Sequence, residues 1–148
     1  MNKTEDLITA IAVRGFKSIY DELRMELRPL TILAGANSSG KSSLMQPVLL
    51  LKQTLESPFD PGVFRLDGPN VRFTSTDQLL SKVPGRPETT SFSVGFDKGG
   101  GAKLGLTYRK AEGMAFEIES MDYPDASLPR RPGEHLSDEQ AQQMLLDP

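Results

Sequence analysis

The spacing of hydrophobic positions in the first third of the chain predicts three strands. Residues 7–14 are rich in Ile, Val, Ala and Thr, which is typical of a strand. Leu23, Met25 and Leu27 alternate with charged residues and predict a half-buried second strand. Residues 30–34 form a short continuous apolar run, which predicts a third strand covered on both faces in the middle of an α/β sheet.

A helical repeat follows a Gly/Ser-rich loop. Within residues 41–55, Leu44, Val48, Leu51 and Leu55 recur at helical spacing, so this side of the helix is predicted to pack on the sheet. Pro47 lies inside the same stretch and lacks a backbone N–H, which predicts a kink in the helix. Residues 1–56 therefore contain the predicted strands, the loop and the first helix.

The second half of the chain has the pattern of β-structure. Apolar residues alternate around 92–96, 102–108 and 114–118, with glycine-containing turns between them, so residues 91–123 are predicted to form a three-stranded antiparallel meander. Residues 57–90 are predicted to be mainly loop, with a short helix or turn at 76–82. A proline-containing linker at 124–136 and a final helix at 137–147, capped by Ser137, complete the prediction.

The composition of the chain excludes several kinds of functional site. The chain has 148 residues, a net charge of -3 and no cysteine, which excludes disulfides, thiolate metal sites and a cysteine nucleophile. It has no overall basic excess of the kind that nucleic-acid-binding domains usually show. The N-terminus does not resemble a signal peptide, and no apolar run is long enough to span a bilayer, so we expect a cytoplasmic protein without a membrane partner.

Residues 35–42 match in full the phosphate-loop pattern of Gly, four residues and Gly-Lys-Ser. The glycines let the backbone approach phosphates, and successive N–H groups at a helix N-terminus form an anion site. Lys41 is expected to reach the β- and γ-phosphates, and the Ser42 hydroxyl to ligate Mg²⁺. The predicted nucleotide-binding residues are Gly35, Ala36, Asn37, Ser38, Ser39, Gly40, Lys41, Ser42 and Ser43.

This region resembles the start of the RecF, SMC and OLD (overcoming lysogenization defect) ATPases, which are ABC-type members of the AAA ATPases. The resemblance is carried by Arg-Gly-Phe-Lys-Ser-Ile at 14–19, by the second strand, and by Leu-Thr-Ile-Leu-Ala-Gly at 30–35 leading into Asn-Ser-Ser-Gly-Lys-Ser-Ser at 37–43. It implies an α/β fold, a P-loop NTPase of the ABC/SMC-head type. Residues 1–148 would form its N-terminal lobe, with an antiparallel β-meander.

The resemblance also implies further contacts to the nucleotide. In such ATPases the turn after the first strand lies near the base and ribose, which makes Arg14, Lys17 and Ser18 candidates. The alternative is that Phe16 is a core anchor and Lys17 a solvated surface charge. A Mg²⁺-sensing glutamine is expected in the Q-loop-like region after the first helix, where Gln78 is the candidate. The alternative there is a surface residue on a short helix.

Hydrolysis in this class needs an apolar strand that ends in Asp-Glu, and the sequence has none. The run Leu-Ser-Asp-Glu-Gln at 136–140 resembles the ABC signature, but acids replace its two glycines, so a helix N-cap is the better interpretation. We therefore expect the chain to be truncated. The catalytic residues would lie outside it, and this part alone would be inactive.

Three functions are compatible with the sequence. The first is an ATPase that uses ATP and Mg²⁺ and works as a homodimer of heads. It would drive an effector in DNA repair or phage defence, with DNA bound through missing domains. The second is another P-loop enzyme such as a small kinase, although a GTPase-type Asn-Lys-x-Asp motif is absent. The third is a non-catalytic module that binds nucleotide as a switch.

Overall fold

A computed structural model describes residues 7–37 and 39–122 of the chain. Strands β1 (Ile8–Arg14) and β2 (Leu23–Glu26) precede helix α1 (Lys41–Leu55), and β3 (Ser91–Lys98), β4 (Lys103–Lys110) and β5 (Phe116–Asp122) follow it. Among these described residues, no helix is both long and apolar enough to cross a membrane. The predicted linker at 124–136 and the predicted helix at 137–147 lie outside the described residues.

The five strands form one sheet in the order β2-β1-β3-β4-β5, and every neighbouring pair is antiparallel. The predicted meander is confirmed as β3, β4 and β5. It is not a separate unit, because β1 pairs along β3 and places Val13 opposite Val94. Val94 in turn lies opposite Leu106. All three side chains are buried, so one face of the sheet is core.

Aromatic side chains fill the space over this face. Phe64, from the long connection after α1, lies 4.5 Å from Tyr108 and 5.8 Å from Phe92, measured between ring centroids. Phe16 meets Phe92 edge-on at 5.3 Å and is fully buried. The interpretation of Phe16 as a core anchor is therefore confirmed. The Phe16 side chain fixes the turn that follows β1 to the sheet.

Tyr108 gives this core a pH dependence. Burial raises the pKa of its phenol from 10.0 to about 12. Between these values the unfolded chain releases a proton that the folded chain keeps, so stability falls as the pH rises. Between pH 9 and pH 11, the ionisation of Tyr108 should lower the free energy of unfolding by about 1.4 kcal/mol.

Urea unfolding of the wild type and of Tyr108→Phe, each at pH 9 and pH 11, measures this loss directly. The substituted protein lacks the phenol, and it should lose about 1.4 kcal/mol less than the wild type across the same interval. Equal losses in the two proteins would show that Tyr108 ionises as freely in the fold as in water.

Helix α1 begins and ends where the sequence predicted, at Lys41 and Leu55, and it continues through Pro47 as one helix. The predicted packing face is only partly right. Leu44 is buried and contributes to the core, but Leu55 is 85% exposed and Leu50 is fully buried instead. The reason is that α1 also packs against the connecting segment 64–73. Leu50 and Gln53 therefore belong to its buried face.

The side chain of Gln53 joins α1 to this segment. Its Nε2 donates to the backbone oxygens of Arg65 and Val71, at 2.5 Å and 3.1 Å. Its Oε1 accepts from the N–H groups of Asn70 and Val71, at 3.2 Å and 2.9 Å. A Cβ at Gly68 would lie 2.5 Å from Gln53 Cδ, so a glycine is needed beside the amide. All four hydrogen-bonding positions of the amide are used, which buried polar groups require.

Replacing Gln53 by Met should destabilise the fold. The substitution keeps the length of the side chain, but it removes the acceptor of the buried Val71 N–H and the donor to the Arg65 carbonyl, at a cost of about 1–3 kcal/mol for each group left without a partner. Chemical denaturation should show a loss of at least about 2 kcal/mol.

Gln46 on the same helix offers a matched control, because its Oε1 is buried without a hydrogen-bond partner in the described part of the chain. Gln46→Met removes an unsatisfied group and should leave stability unchanged or raise it. Equal destabilisation by the two substitutions would refute the role of the Gln53 amide.

The predicted third strand at residues 30–34 is wrong. No strand forms there, and Leu30 and Ile32 are 78% and 76% exposed. Local hydrogen bonds compete with extended pairing, because Thr31 Oγ1 accepts from Arg28 N–H at 2.9 Å and donates to the Arg28 carbonyl at 3.2 Å. Pro29 also removes a donor that a ladder would need. Within the described residues, no neighbouring strand pairs with this run.

Candidate nucleotide-binding site

The loop before α1 has the tight geometry that its glycines allow. Gly40 is the N-cap of α1 with φ 89°, a left-handed conformation that glycine adopts without strain. At Gly35, with φ 154°, a Cβ would lie 2.9 Å from Ser39 Oγ. Both glycines of the sequence pattern are therefore required by the backbone path itself.

Lys41 lies at the centre of this loop. Its ammonium group donates to the carbonyl oxygens of Gly35 at 2.6 Å and Ala36 at 2.5 Å, and to Ser39 Oγ at 3.3 Å. The side chain thus folds back over the N-terminal end of its own helix and contacts Gly35, Ala36 and Ser39. This placement puts a positive charge inside the concave side of the loop.

The N-terminus of α1 adds a second favourable feature for an anion. The first backbone N–H groups of a helix have no partner within the helix, and a capping side chain normally accepts from one of them. Among the described residues no side chain caps α1, and its first turn holds no acidic residue. The positive end of the helix dipole therefore remains available beside the Lys41 ammonium.

The turn after β1 contacts the loop. Gly15 and Lys17 have φ values of 72° and 50°, and this tight turn brings Ser18 to the start of α1. Ser18 Oγ donates to Ser43 Oγ at 2.9 Å. A Cβ at Gly40 would lie 3.2 Å from Ser18 Oγ, so the turn and the loop are in close contact.

Two open clefts meet at Ser18, and they separate the predicted site residues. One is lined by Ser18 with Lys17, Asp77, Gln78, Leu80 and Lys82. The other contains Ser39 and Gly40 of the phosphate loop together with Ser18, Ile19, Tyr20, Asp21, Glu22, Leu23, Val83 and Arg86. Lys17 and Gln78 are thus brought together, in the cleft that contains no described residue of the loop.

Gln78 lies on the short 3-10 helix Thr76–Gln78, which confirms the predicted short helix or turn. Its Oε1 accepts from Thr74 N–H, and its Nε2 donates to Thr74 Oγ1, both at 3.0 Å. Neighbouring Asp77 pairs with Lys110 of β4, which holds the pKa of the Asp77 carboxyl below its ordinary value. Gln78 is therefore exposed on a turn that is anchored to the sheet.

The remaining candidates lie at different distances from the loop. Ser42 is exposed in the first turn of α1, next to Lys41. Arg14 is exposed at the end of β1 and does not line either cleft. Ser38 lies outside the described residues.

Tyr20 and Arg86 also line the cleft that contains the loop residues, and no sequence pattern identified them. Arg86 comes more than sixty residues after the turn and has no motif around it, so nothing in the local sequence marks it. Tyr20 directly follows the turn at 14–19, and its position beside that motif is the one signal that could have identified it.

A glycine-bounded loop, a lysine whose ammonium group contacts the loop carbonyls and an uncapped helix N-terminus are the features of a phosphate-binding loop of the P-loop NTPase class. Residues 30–125 match the family model described as "AAA domain, putative AbiEii toxin, Type IV TA system". This match spans more than half of the chain, and the chain belongs to that family. The class recognised from the sequence, an AAA-family ATPase domain with an α/β P-loop fold, is thereby confirmed.

Among solved structures, the chain is similar to one described as "Structural biochemistry of ATP-driven dimerization and DNA stimulated activation of SMC ATPases". The TM-score is 0.49 and the sequence identity is 15%, over 78% of this chain and 69% of that chain. A search of curated protein sequences gives no match.

Proposed function

We propose that residues 35–43 bind the triphosphate of ATP, as the nucleotide-binding part of an ATPase. The observation that carries this proposal is the Lys41 ammonium, which lies inside the loop with two carbonyl oxygens within 2.6 Å. A γ-phosphate offers stronger, charged acceptors than these carbonyls, so the same ammonium would turn to it when the nucleotide binds. The uncapped N-terminus of α1 supplies N–H donors to the same anion.

The donor set also fits Mg²⁺ that arrives with the nucleotide. This ion keeps several waters and commonly takes only one or two protein ligands beside phosphate oxygens. The exposed hydroxyl of Ser42 follows Lys41 and would be one such ligand. Gln78 remains a second candidate, and Lys17 and Ser18 remain candidates for contacts to the nucleotide. When bound, the ion would neutralise charge on the phosphates.

We extend the proposal to the whole protein on the strength of the sequence resemblance. Hydrolysis would depend on Mg²⁺ and on an acidic strand supplied from outside these residues, and two heads would close on the nucleotide as a homodimer. That closure would drive an effector in DNA repair or phage defence. A nucleotide-dependent module without turnover is the alternative, and the absence of an Asp-Glu strand from the sequence favours it for this chain alone.

Replacing Lys41 by Ala should abolish binding of Mg-ATP, because it removes the one side-chain charge that the described loop places among the phosphate-binding groups. Titration calorimetry measures the affinity. The matched control is Lys52→Ala on the same helix, since the Lys52 side chain is exposed and, among the described residues, pairs with Glu56 at 3.7 Å.

The control variant should bind ATP as the wild type does. Unchanged affinity after Lys41→Ala would overturn the assignment of the phosphate loop. Turnover separates the two functional alternatives. The 148-residue chain should hydrolyse ATP negligibly, and turnover that survives purification but is lost in Lys41→Ala would show that the catalytic residues lie within it.

A further inference from the structure

The cleft beside the phosphate loop contains a stacked pair of side chains. Arg86 places its guanidinium carbon 4.7 Å from the centre of the Tyr20 ring. The guanidinium also donates to the Asp21 carboxylate at 2.7 Å. Arg86 is therefore held from two directions, by a ring on one side and by an ion pair at its edge, although it is a surface residue.

This pair and the phosphate loop belong to the same cleft. Ser39 and Gly40 of the loop line it together with Tyr20 and Arg86. The neighbouring cleft, which contains Lys17 and Gln78, includes no described residue of the loop. A ligand with phosphates at Gly40 would therefore extend along the cleft that contains Arg86.

The chemistry of the pair suits a flat aromatic group. A guanidinium is planar, and a nucleic acid base stacks on such a plane as it does on an aromatic side chain. The guanidinium lies over the ring of Tyr20, and the Arg86 side chain is still 48% exposed, so it is accessible to a base. Because Asp21 already balances its charge, Arg86 offers a stacking surface more than a free charge for phosphate.

We infer that Arg86, supported by Tyr20 and Asp21, is the platform on which the base of the bound nucleotide stacks. The inference rests on the proposed function, because it assumes that the triphosphate occupies residues 35–43. It assigns a role in recognising the nucleoside to residues that have no phosphate-binding motif. The ring contact and the ion pair both restrain the guanidinium, which limits the entropy lost on binding.

Comparing ATP with inorganic tripolyphosphate tests this inference, because only ATP carries a base. With titration calorimetry on the full 148-residue chain, Arg86→Ala should weaken ATP binding about tenfold, the usual scale for losing one stacking contact. It should leave the affinity for tripolyphosphate unchanged. Tyr20→Ala should act in the same direction, because the guanidinium loses its support.

Arg65→Ala is the matched control, since Arg65 lies 5.3 Å over the ring of Phe59 and neither residue lines the cleft. It should change neither affinity. Arg86→Lys keeps the charge but not the plane, and should behave like Arg86→Ala.

Two results would overturn the inference. Equal weakening of ATP and tripolyphosphate by Arg86→Ala would place Arg86 on the phosphates, and unchanged ATP affinity would remove it from the site. Failure of the proposed function looks different, because the wild type would then bind neither ligand, or Lys41→Ala would bind both normally.

Discussion

The buried amide of Gln53 fixes where α1 lies, and the candidate nucleotide-binding site depends on that position. Its four hydrogen bonds reach the backbone on both sides of the segment 65–71. That segment is attached to the sheet by Phe64, whose ring packs on Phe92 and Tyr108. The helix is thus held through the connection and not by direct strand contacts alone. Its N-terminus consequently lies against the turn after β1, where Ser43 and Ser18 meet.

The same arrangement explains why the site is built from parts that are distant in sequence. The turn after β1 is anchored by Phe16, which is buried against the sheet, and it carries Ser18 to the loop. The 3-10 helix that carries Gln78 is joined to that turn, because Lys17 N–H donates to the Leu79 carbonyl at 3.0 Å. Elements anchored to the sheet therefore position Ser18 and Gln78, which is what a pre-organised site would require.

Much of this could be predicted from the sequence, since the signals were local. The loop pattern at 35–42, the limits of α1 and the three strands of the meander depend on short-range periodicity and on glycine positions. The predicted strand at 30–34 failed because an apolar run does not reveal whether it has a strand to pair with, and Thr31 and Pro29 favour a turn. The exposure of Leu55 and the burial of Gln53 depend on which segment covers the helix, and periodicity does not contain that information. Tyr20 and Arg86 were missed for a similar reason, because tertiary structure alone brings them together.

The central claim is that one cleft holds the nucleotide, with its phosphates at the loop. Backbone amide NMR spectra of the isotopically labelled chain, recorded during titration with Mg-ATP, test it residue by residue. The account predicts the largest shifts at Gly35, Gly40, Lys41 and Ser42, since their N–H groups would meet the phosphates. Chemical-shift changes that saturate but are confined to the strands, with these four signals unchanged, would contradict it.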